Sequence, residues 1–137
     1  MGNKEIILYA DDEPNMRNLV KDILELDFPA YNIEVFGDGS SLEERLMKGT
    51  ENVGLVVTDN EMPGIIGSEI IKKYSKRPGF ENIPFVLCYA GNVSLGAYLV
   101  KEGYAFSYLE KPFGIKDLRR TLKNALASVK DPTASSQ

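Results

Sequence analysis

Apolar and polar positions form two different patterns, which alternate along most of the chain. Short continuous apolar runs are typical of strands buried on both faces, and apolar residues that recur every three or four positions are typical of helices. The runs predict five strands, at residues 5–9, 32–36, 54–59, 83–89 and 105–109. The recurrences predict five helices, at residues 14–26, 41–49, 68–76, 93–102 and 115–129.

Strands and helices that alternate in this way predict an α/β fold with a doubly wound parallel sheet. The second predicted helix opens with SLEE at 41–44, a capping box in which Ser41 is the N-cap residue. The last residues, DPTASSQ at 131–137, are polar and carry no helical periodicity. We therefore predict one domain over residues 1–129 and a flexible C-terminal tail over residues 130–137.

Composition narrows the possible classes of function. The formal net charge of -4 argues against a nucleic-acid surface. No apolar run approaches the roughly 18 residues of a membrane helix and no signal peptide is visible, so we expect a cytoplasmic protein without membrane contact. The single cysteine, Cys88, is expected to be a small buried apolar residue. The sequence has no histidine, so its chemistry must use carboxylates, hydroxyls and lysines.

Charged residues gather where the predicted strands end. Asp11 and Asp12 follow the first strand, Asp59 ends the third, and Lys111 follows the fifth. These ends share one edge of a parallel sheet, where two carboxylates about 4 Å apart would repel each other by on the order of 4 kcal/mol. We therefore predict a hard divalent cation, most simply Mg²⁺, among the three carboxylates. The acids at 11–13 are also compatible with plain capping of the first helix.

Three motifs connect this arrangement to a known family: ADDEP at 10–14, TDNEMPGIIG at 58–67 and YLEKPF at 108–113. Their order on alternating strands resembles the response-regulator receiver domain of two-component signalling, in its single-domain, chemotaxis-regulator-like form. The resemblance covers about residues 4–129. It implies a flavodoxin-like (βα)5 fold with strand order 2-1-3-4-5.

The resemblance also implies roles for individual residues. Asp59 would be the phosphoacceptor, a carboxylate nucleophile that attacks a phosphohistidine. Lys111 would pair with Asp59 and then with the phosphoryl group, and Pro112 is a candidate cis proline. The implied ligands of Mg²⁺ are Asp11, Asp12, Asp59 and the backbone carbonyl of Glu61.

One position departs from the family pattern. The family places Thr or Ser at the end of the fourth strand, where a short hydroxyl binds a phosphoryl oxygen, and Tyr89 stands there instead. Tyr108 occupies the aromatic switch position, three residues before Lys111, and the two tyrosines could compete for the same space. Tyr89 could weaken phosphorylation, hold its loop in one state, act in the switch or simply pack. An acid at Glu61 is expected to alter phosphorylation and hydrolysis rates.

The leading hypothesis is a stand-alone receiver that accepts a phosphoryl group on Asp59 from a histidine kinase or phosphotransfer protein, is not an enzyme, and signals by protein contact. The alternative is a pseudo-receiver, a binding module with little or no phosphorylation because of Tyr89. A phosphatase with an aspartyl-phosphate intermediate and a flavodoxin-like cofactor carrier fit the sequence less well.

The predicted contact with a downstream protein or a second copy of the chain is placed on the face of the fourth helix, fifth strand and fifth helix. That region is rich in large apolar residues that cannot all face the sheet, so some should form an exposed patch. The residues concerned are Val93, Leu95, Tyr98, Leu99, Tyr104, Phe106 and Tyr108.

Overall fold

The structure, a computed structural model, describes residues 4–91 and 93–130, without the side chains of Val93 and Lys130. Its strands are β1 (Glu5–Ala10), β2 (Tyr31–Phe36), β3 (Val53–Asp59), β4 (Phe85–Tyr89) and β5 (Ser107–Glu110). Its helices are α1 (Pro14–Asp27), α2 (Gly39–Met47), α3 (Gly67–Tyr74), α4 (Val93–Lys101) and α5 (Ile115–Lys130). Of the predicted tail at 130–137, Lys130 is the last residue of α5, and residues 131–137 lie outside the described residues.

The strands form one five-stranded parallel sheet in the order β2-β1-β3-β4-β5. This confirms the predicted doubly wound, flavodoxin-like fold. The register pairs Ala10 of β1 with Thr58 of β3, and Asp59 with Cys88 of β4. The carboxyl ends of the central strands are therefore level, and the residues that follow them meet at one edge.

Alternation along each strand separates two buried clusters, one on each face of the sheet. On the first face, which α1 and α5 cover, Tyr9, Val57 and Cys88 belong to one cluster. On the second face, which α2, α3 and α4 cover, Leu87 and Tyr89 belong to the other. Tyr89 and its neighbour Cys88 thus point to opposite sides of the sheet.

Several element boundaries differ from the sequence prediction, and two of these differences have identifiable reasons. Helix α2 begins at Gly39, and its N-cap is Asp38, whose side chain accepts a hydrogen bond of 2.7 Å from the backbone amide of Ser41. The predicted Ser41 cap is therefore wrong, because a carboxylate three residues earlier takes that role. Strand β4 begins at Phe85, after Pro84, whose nitrogen carries no hydrogen for the ladder.

The residues of the expected apolar patch differ in exposure, and the side chain of Val93 lies outside the described part of the structure. Leu99 is buried, and partial burial against the two clusters is shared by Leu95, Tyr104, Phe106 and Tyr108. Tyr98 is 47% exposed. The rings of Tyr104, Phe106 and Tyr108 pack against the clusters, and β5 is flanked by both α4 and α5. None of the helices in the described part of the chain combines the length and apolar composition that a membrane crossing requires.

Candidate functional site

Three carboxylates meet at the carboxyl edge of the sheet. Asp11 and Asp12 directly follow β1, and Asp59 is the last residue of β3. Each offers an oxygen, and these oxygens all lie within 4.8 Å of one another. Asp11 and Asp59 are buried and Asp12 is exposed, so the cluster opens to solvent on one side.

Lys111 supplies positive charge to this cluster, as the sequence predicted. It follows β5, and its Nζ lies 2.9 Å from Oδ1 of Asp59 and 3.6 Å from Oδ2 of Asp11. Burial disfavours the charged form of Lys111, but the hydrogen bond with Asp59 and the charges of both carboxylates together raise its pKa. The Lys111–Pro112 peptide bond is cis, the isomer that the family resemblance implies.

Asp59 is 4% exposed. Burial raises the pKa of Asp59, and the charge of Asp11 acts in the same direction, against the hydrogen bond with Lys111, which lowers it. One lysine therefore does not fully compensate the buried negative charge. Additional positive charge beside Asp59 would favour its ionised form.

The donor set fits a small hard cation. Carboxylate oxygens are the ligands that Mg²⁺ prefers, and Mg²⁺ usually keeps several waters while it binds one or two carboxylates. The solvent-facing side at Asp12 leaves room for such waters. Asp11, Asp12 and Asp59 are therefore the side chains that would hold Mg²⁺.

The turn after β3 is held by backbone and side-chain contacts. The backbone amide of Gly67 donates to the carbonyl of Asn60 at 2.9 Å, and the side-chain oxygen of Asn60 accepts from the amide of Ser68 at 2.8 Å. A Cβ at Gly67 would lie 2.2 Å from the carbonyl oxygen of Asp59, so only glycine permits this approach of α3. Glu61 is exposed, and its carboxylate accepts a hydrogen bond of 3.1 Å from the Asn60 side chain.

The acidic loop after β1 is also fixed. Oδ1 of Asp11 accepts a hydrogen bond of 3.0 Å from the amide of Glu13, and Arg17 donates to the Asp11 carbonyl at 2.7 Å. Glu13 is the N-cap of α1, and its side chain accepts from the amide of Met16. The capping interpretation thus holds for Glu13, while Asp11 and Asp12 join Asp59.

Tyr89 does not face the acidic cluster. Its side chain is 1% exposed and lies in the cluster on the second face, with its ring centroid 6.0 Å from that of Tyr108. Burial raises the pKa of Tyr89, while a hydrogen bond with the backbone of Gly96 lowers it. The two rings share the space between α4 and the sheet.

Gly96 makes this packing possible. A Cβ at Gly96 would lie 2.3 Å from Cγ of Tyr108, so the ring of Tyr108 rests directly against the backbone of α4. The position at the end of β4 therefore contributes a packed ring where the family pattern has a short hydroxyl. No signal in the sequence identified Gly96 as the partner of the two tyrosines.

Sequence reasoning also missed Tyr9, whose hydroxyl donates a hydrogen bond of 2.8 Å to Oδ2 of Asp11. Burial, followed by the charge of Asp11, raises the pKa of Tyr9. The available signal was the two-residue spacing, because residues two apart in a strand point to the same face. By contrast, the prediction for Cys88 is confirmed, since it is 3% exposed and burial raises the pKa of its thiol to about 12.

Comparison with known proteins is consistent with this geometry. Residues 7–123 match the family described as the response regulator receiver domain. The chain therefore belongs to the response regulator receiver domain family, which serves two-component phosphorelay signalling. Receiver domains are signalling domains rather than catalytic enzymes, they bind Mg²⁺ at an acidic pocket, and they interact with histidine kinases and downstream effectors.

Two curated relatives contain a similar segment. The DNA-binding transcriptional regulator NtrC of Bradyrhizobium sp. (strain RP501 Parasponia) is 30% identical over 130 residues, which cover 94% of this chain and 26% of that protein. Chemotaxis protein CheV1 of Helicobacter pylori is 30% identical over 127 residues, which cover 90% of this chain and 39% of that protein. The chain thus spans well under half the length of either relative.

Solved structures share the fold over nearly the whole chain. A response regulator receiver domain protein from Clostridium thermocellum has a TM-score of 0.80 and 25% identity, and the match covers 92% of this chain and 97% of that one. Response regulator protein TrrA from Thermotoga maritima, in complex with Mg²⁺–BeF, has a TM-score of 0.73 and 30% identity over 89% of this chain and 99% of that one.

Proposed function

We propose that Asp59 accepts a phosphoryl group from a histidine kinase or phosphotransfer protein in a Mg²⁺-dependent reaction, and that the phosphorylated domain signals through protein contacts. The contact between Lys111 Nζ and Asp59 Oδ1, 2.9 Å long and beside Asp11 and Asp12, carries this proposal. Asp59 is buried, and the ammonium group of Lys111 and two further carboxylates lie around it, which supports a role as phosphoryl acceptor.

The transfer would exchange one bond for another. An oxygen of Asp59 forms a bond to phosphorus while the bond between phosphorus and the donor histidine nitrogen breaks, and that nitrogen keeps the electron pair. Phosphoryl transfer depends mainly on positioning and on neutralising charge. Lys111 holds the Asp59 carboxylate before transfer and lies close enough to interact with the phosphoryl oxygens afterwards.

Mg²⁺ held by the three carboxylates would neutralise charge on the phosphoryl oxygens. The protein contributes by holding the carboxylates that would bind Mg²⁺ close to one another. Arg17 and the Glu13 amide fix the loop that carries Asp11, and Gly67 and Asn60 fix the turn that follows Asp59. The carbonyl of Glu61, in the same turn, is the proposed backbone ligand.

Intact mass spectrometry after incubation with a small acyl-phosphate donor and Mg²⁺ tests this proposal. We expect one phosphoryl adduct that base or hydroxylamine removes, as for an acyl phosphate. The Asp59→Asn variant should show no adduct. Asp22→Asn makes the same change at an exposed aspartate of α1 and should be phosphorylated like the unmodified protein. An adduct that persists in Asp59→Asn would refute the assignment of the phosphoacceptor.

A pseudo-receiver is the second candidate, and the burial of Tyr89 favours it. The phenol lies on the second face with Tyr108, so position 89 offers no hydroxyl to Asp59. If the protein binds Mg²⁺ but forms no adduct, Tyr89→Thr distinguishes the causes. Phosphorylation gained by this variant would identify Tyr89 as the block, and its absence would point to Glu61 or to a strict requirement for the cognate donor.

The route of the output signal is also a proposal. Tyr98 of α4 is 47% exposed and Ile115 of α5 is 48% exposed, which supports a contact surface on the α4–β5–α5 face for a downstream protein or a second copy of the chain. Sedimentation of Tyr98→Ser with and without phosphodonor would show whether phosphorylation changes self-association through this face. Stand-alone action and a cytoplasmic location stay predictions, because the curated relatives carry this domain within longer chains.

A further inference from the structure

A buried tyrosine reaches the acidic cluster from within the sheet. Tyr9 lies in β1, is 2% exposed, and packs in the cluster on the first face. Its hydroxyl donates a 2.8 Å hydrogen bond to Oδ2 of Asp11. Lys111 Nζ lies 3.6 Å from the same oxygen, so the phenol is the nearer donor to it.

The other groups of Asp11 are also engaged. Its Oδ1 accepts from the amide of Glu13 at 3.0 Å, and its carbonyl accepts from Arg17 at 2.7 Å. Asp11 is 1% exposed, so water has almost no access to it. The phenol hydroxyl of Tyr9 is therefore the contact that fixes the rotation of the Asp11 carboxylate at Oδ2.

We propose that Tyr9 is a positioning residue for the cation site, a role that rests on the proposed function of the acidic cluster. By holding Oδ2 of Asp11, the hydroxyl keeps the carboxylate turned toward Asp12 and Asp59, where a cation would bind. Partners that orient metal-binding carboxylates typically contribute a factor of about ten or more to metal affinity. Removal of the hydroxyl should therefore loosen the site while the nucleophile and the lysine stay in place.

Calorimetric titration of the full chain with MgCl₂ tests this role. Tyr9→Phe removes only the hydroxyl and retains the ring that packs in the core, and we expect it to bind Mg²⁺ about tenfold more weakly. Tyr74→Phe is the matched control. Tyr74 is 1% exposed and its hydroxyl also donates to a carboxylate, Oε2 of Glu43, at 2.8 Å, but in the link between α2 and α3. This variant should bind Mg²⁺ like the unmodified protein.

Two further measurements separate positioning from a general loss of structure. In the acyl-phosphate reaction, Tyr9→Phe should need about tenfold more Mg²⁺ for half-maximal rate and should keep nearly the full rate at saturating Mg²⁺. The chain has no tryptophan and seven tyrosines, so its near-ultraviolet absorption reports tyrosine. The Mg²⁺-induced difference spectrum should be reduced in Tyr9→Phe and retained in Tyr74→Phe.

Equal Mg²⁺ affinity in Tyr9→Phe and the unmodified protein, or tighter binding by the variant, would overturn the role of Tyr9 and leave the proposed function intact. Failure of the unmodified protein to bind Mg²⁺ would overturn both. A similar loss of affinity in Tyr9→Phe and Tyr74→Phe would assign the effect to core packing and would also overturn the positioning role.

Discussion

The two faces of the sheet reach the same edge with different kinds of residue. On the first face, Asp11, Asp59 and Lys111 form a charged cluster within direct contact distance. On the second face, Tyr89 and Tyr108 fill the corresponding space with two packed rings. The charged side carries the groups that the family resemblance implies, while the aromatic side departs from the implied pattern at Tyr89.

The difference bears on two proposed properties. The proposed phosphoryl transfer needs the charged cluster, whereas a rearrangement of α4 would need freedom on the aromatic side. A ring buried at position 89 against α4 favours a single arrangement of that helix, because rotation would require a new place for a large side chain. The following predictions test each side separately, from the largest expected effect to the smallest.

Tyr89→Ala tests whether the aromatic side is part of the folding core. The side chain is 1% exposed, and aromatic-to-alanine changes in a core typically cost about 3–5 kcal/mol. We expect a loss of this size in the free energy of unfolding measured with urea. Tyr98→Ala, at a tyrosine of α4 that is 47% exposed, should cost much less. Similar losses in the two variants would contradict the description of Tyr89 as a core residue.

Lys111→Ala tests the charged side. Removing one preorganised electrostatic contact commonly slows a reaction by about 100-fold, which corresponds to about 2.7 kcal/mol. We expect a decrease of this order in the rate of phosphoryl adduct formation at saturating Mg²⁺. Lys116→Ala, at an exposed lysine of α5, should leave the rate unchanged. A rate within threefold of the unmodified protein would show that Lys111 does not contribute to transfer.

Gly96→Ala tests the contact between α4 and β5. Alanine is the better helix former by about 1 kcal/mol, but its Cβ would lie 2.3 Å from Cγ of Tyr108. Because the clashing atom is at the base of the ring, we expect the variant to be destabilised by about 2 kcal/mol. The double variant with Tyr108→Ser should recover part of this loss in a double-mutant cycle. Strictly additive losses would show that the two residues are not coupled.

The sequence predicted the charged side far better than the aromatic side. Asp11, Asp59 and Lys111 could be placed together because strand ends in a parallel sheet must meet at one edge. The direction of Tyr89 follows from its alternation with Cys88, but its accommodation depends on the missing side chain at Gly96. That contact joins residues on different elements, and no local pattern encodes it.

Local hydrogen bonds explain two other differences between the sequence prediction and the structure. Ser41 satisfied a capping-box pattern, yet Asp38 occupies the N-cap of α2, because both residues are good caps and only the path of the chain decides between them. Tyr9 was predicted only as part of the buried strand at 5–9, which is correct for its ring and incomplete for its hydroxyl. An amphipathic side chain can serve the core and the site at once.

A carboxylate outside the acidic cluster, Glu43, extends the comparison to pH. Glu43 of α2 accepts hydrogen bonds from Lys73 and Tyr74 of α3. The hydrogen bond from Lys73, followed by that from Tyr74, lowers the pKa of Glu43, whereas burial is the main cause that raises the pKa of Asp59. The donors around Glu43 favour its ionised form, whereas the donor at Asp59 does not outweigh the burial of that carboxylate. Ionised Glu43 should therefore stabilise the fold.

Glu43→Gln tests this assignment through the pH dependence of stability. A carboxyl group whose pKa is lower in the folded state stabilises the protein above its unfolded value, here 4.5, and this contribution is lost as the pH falls through the folded value. We expect the variant to be about 1 kcal/mol less stable than the unmodified protein at pH 7. In urea unfolding, the difference should shrink steadily as the pH is lowered below 4.5. Glu44→Gln, the same change at an exposed neighbour in α2, should show no such trend. A constant difference across this range would mean that Glu43 acts through packing rather than through its charge, and the link between α2 and α3 would then be insensitive to acid.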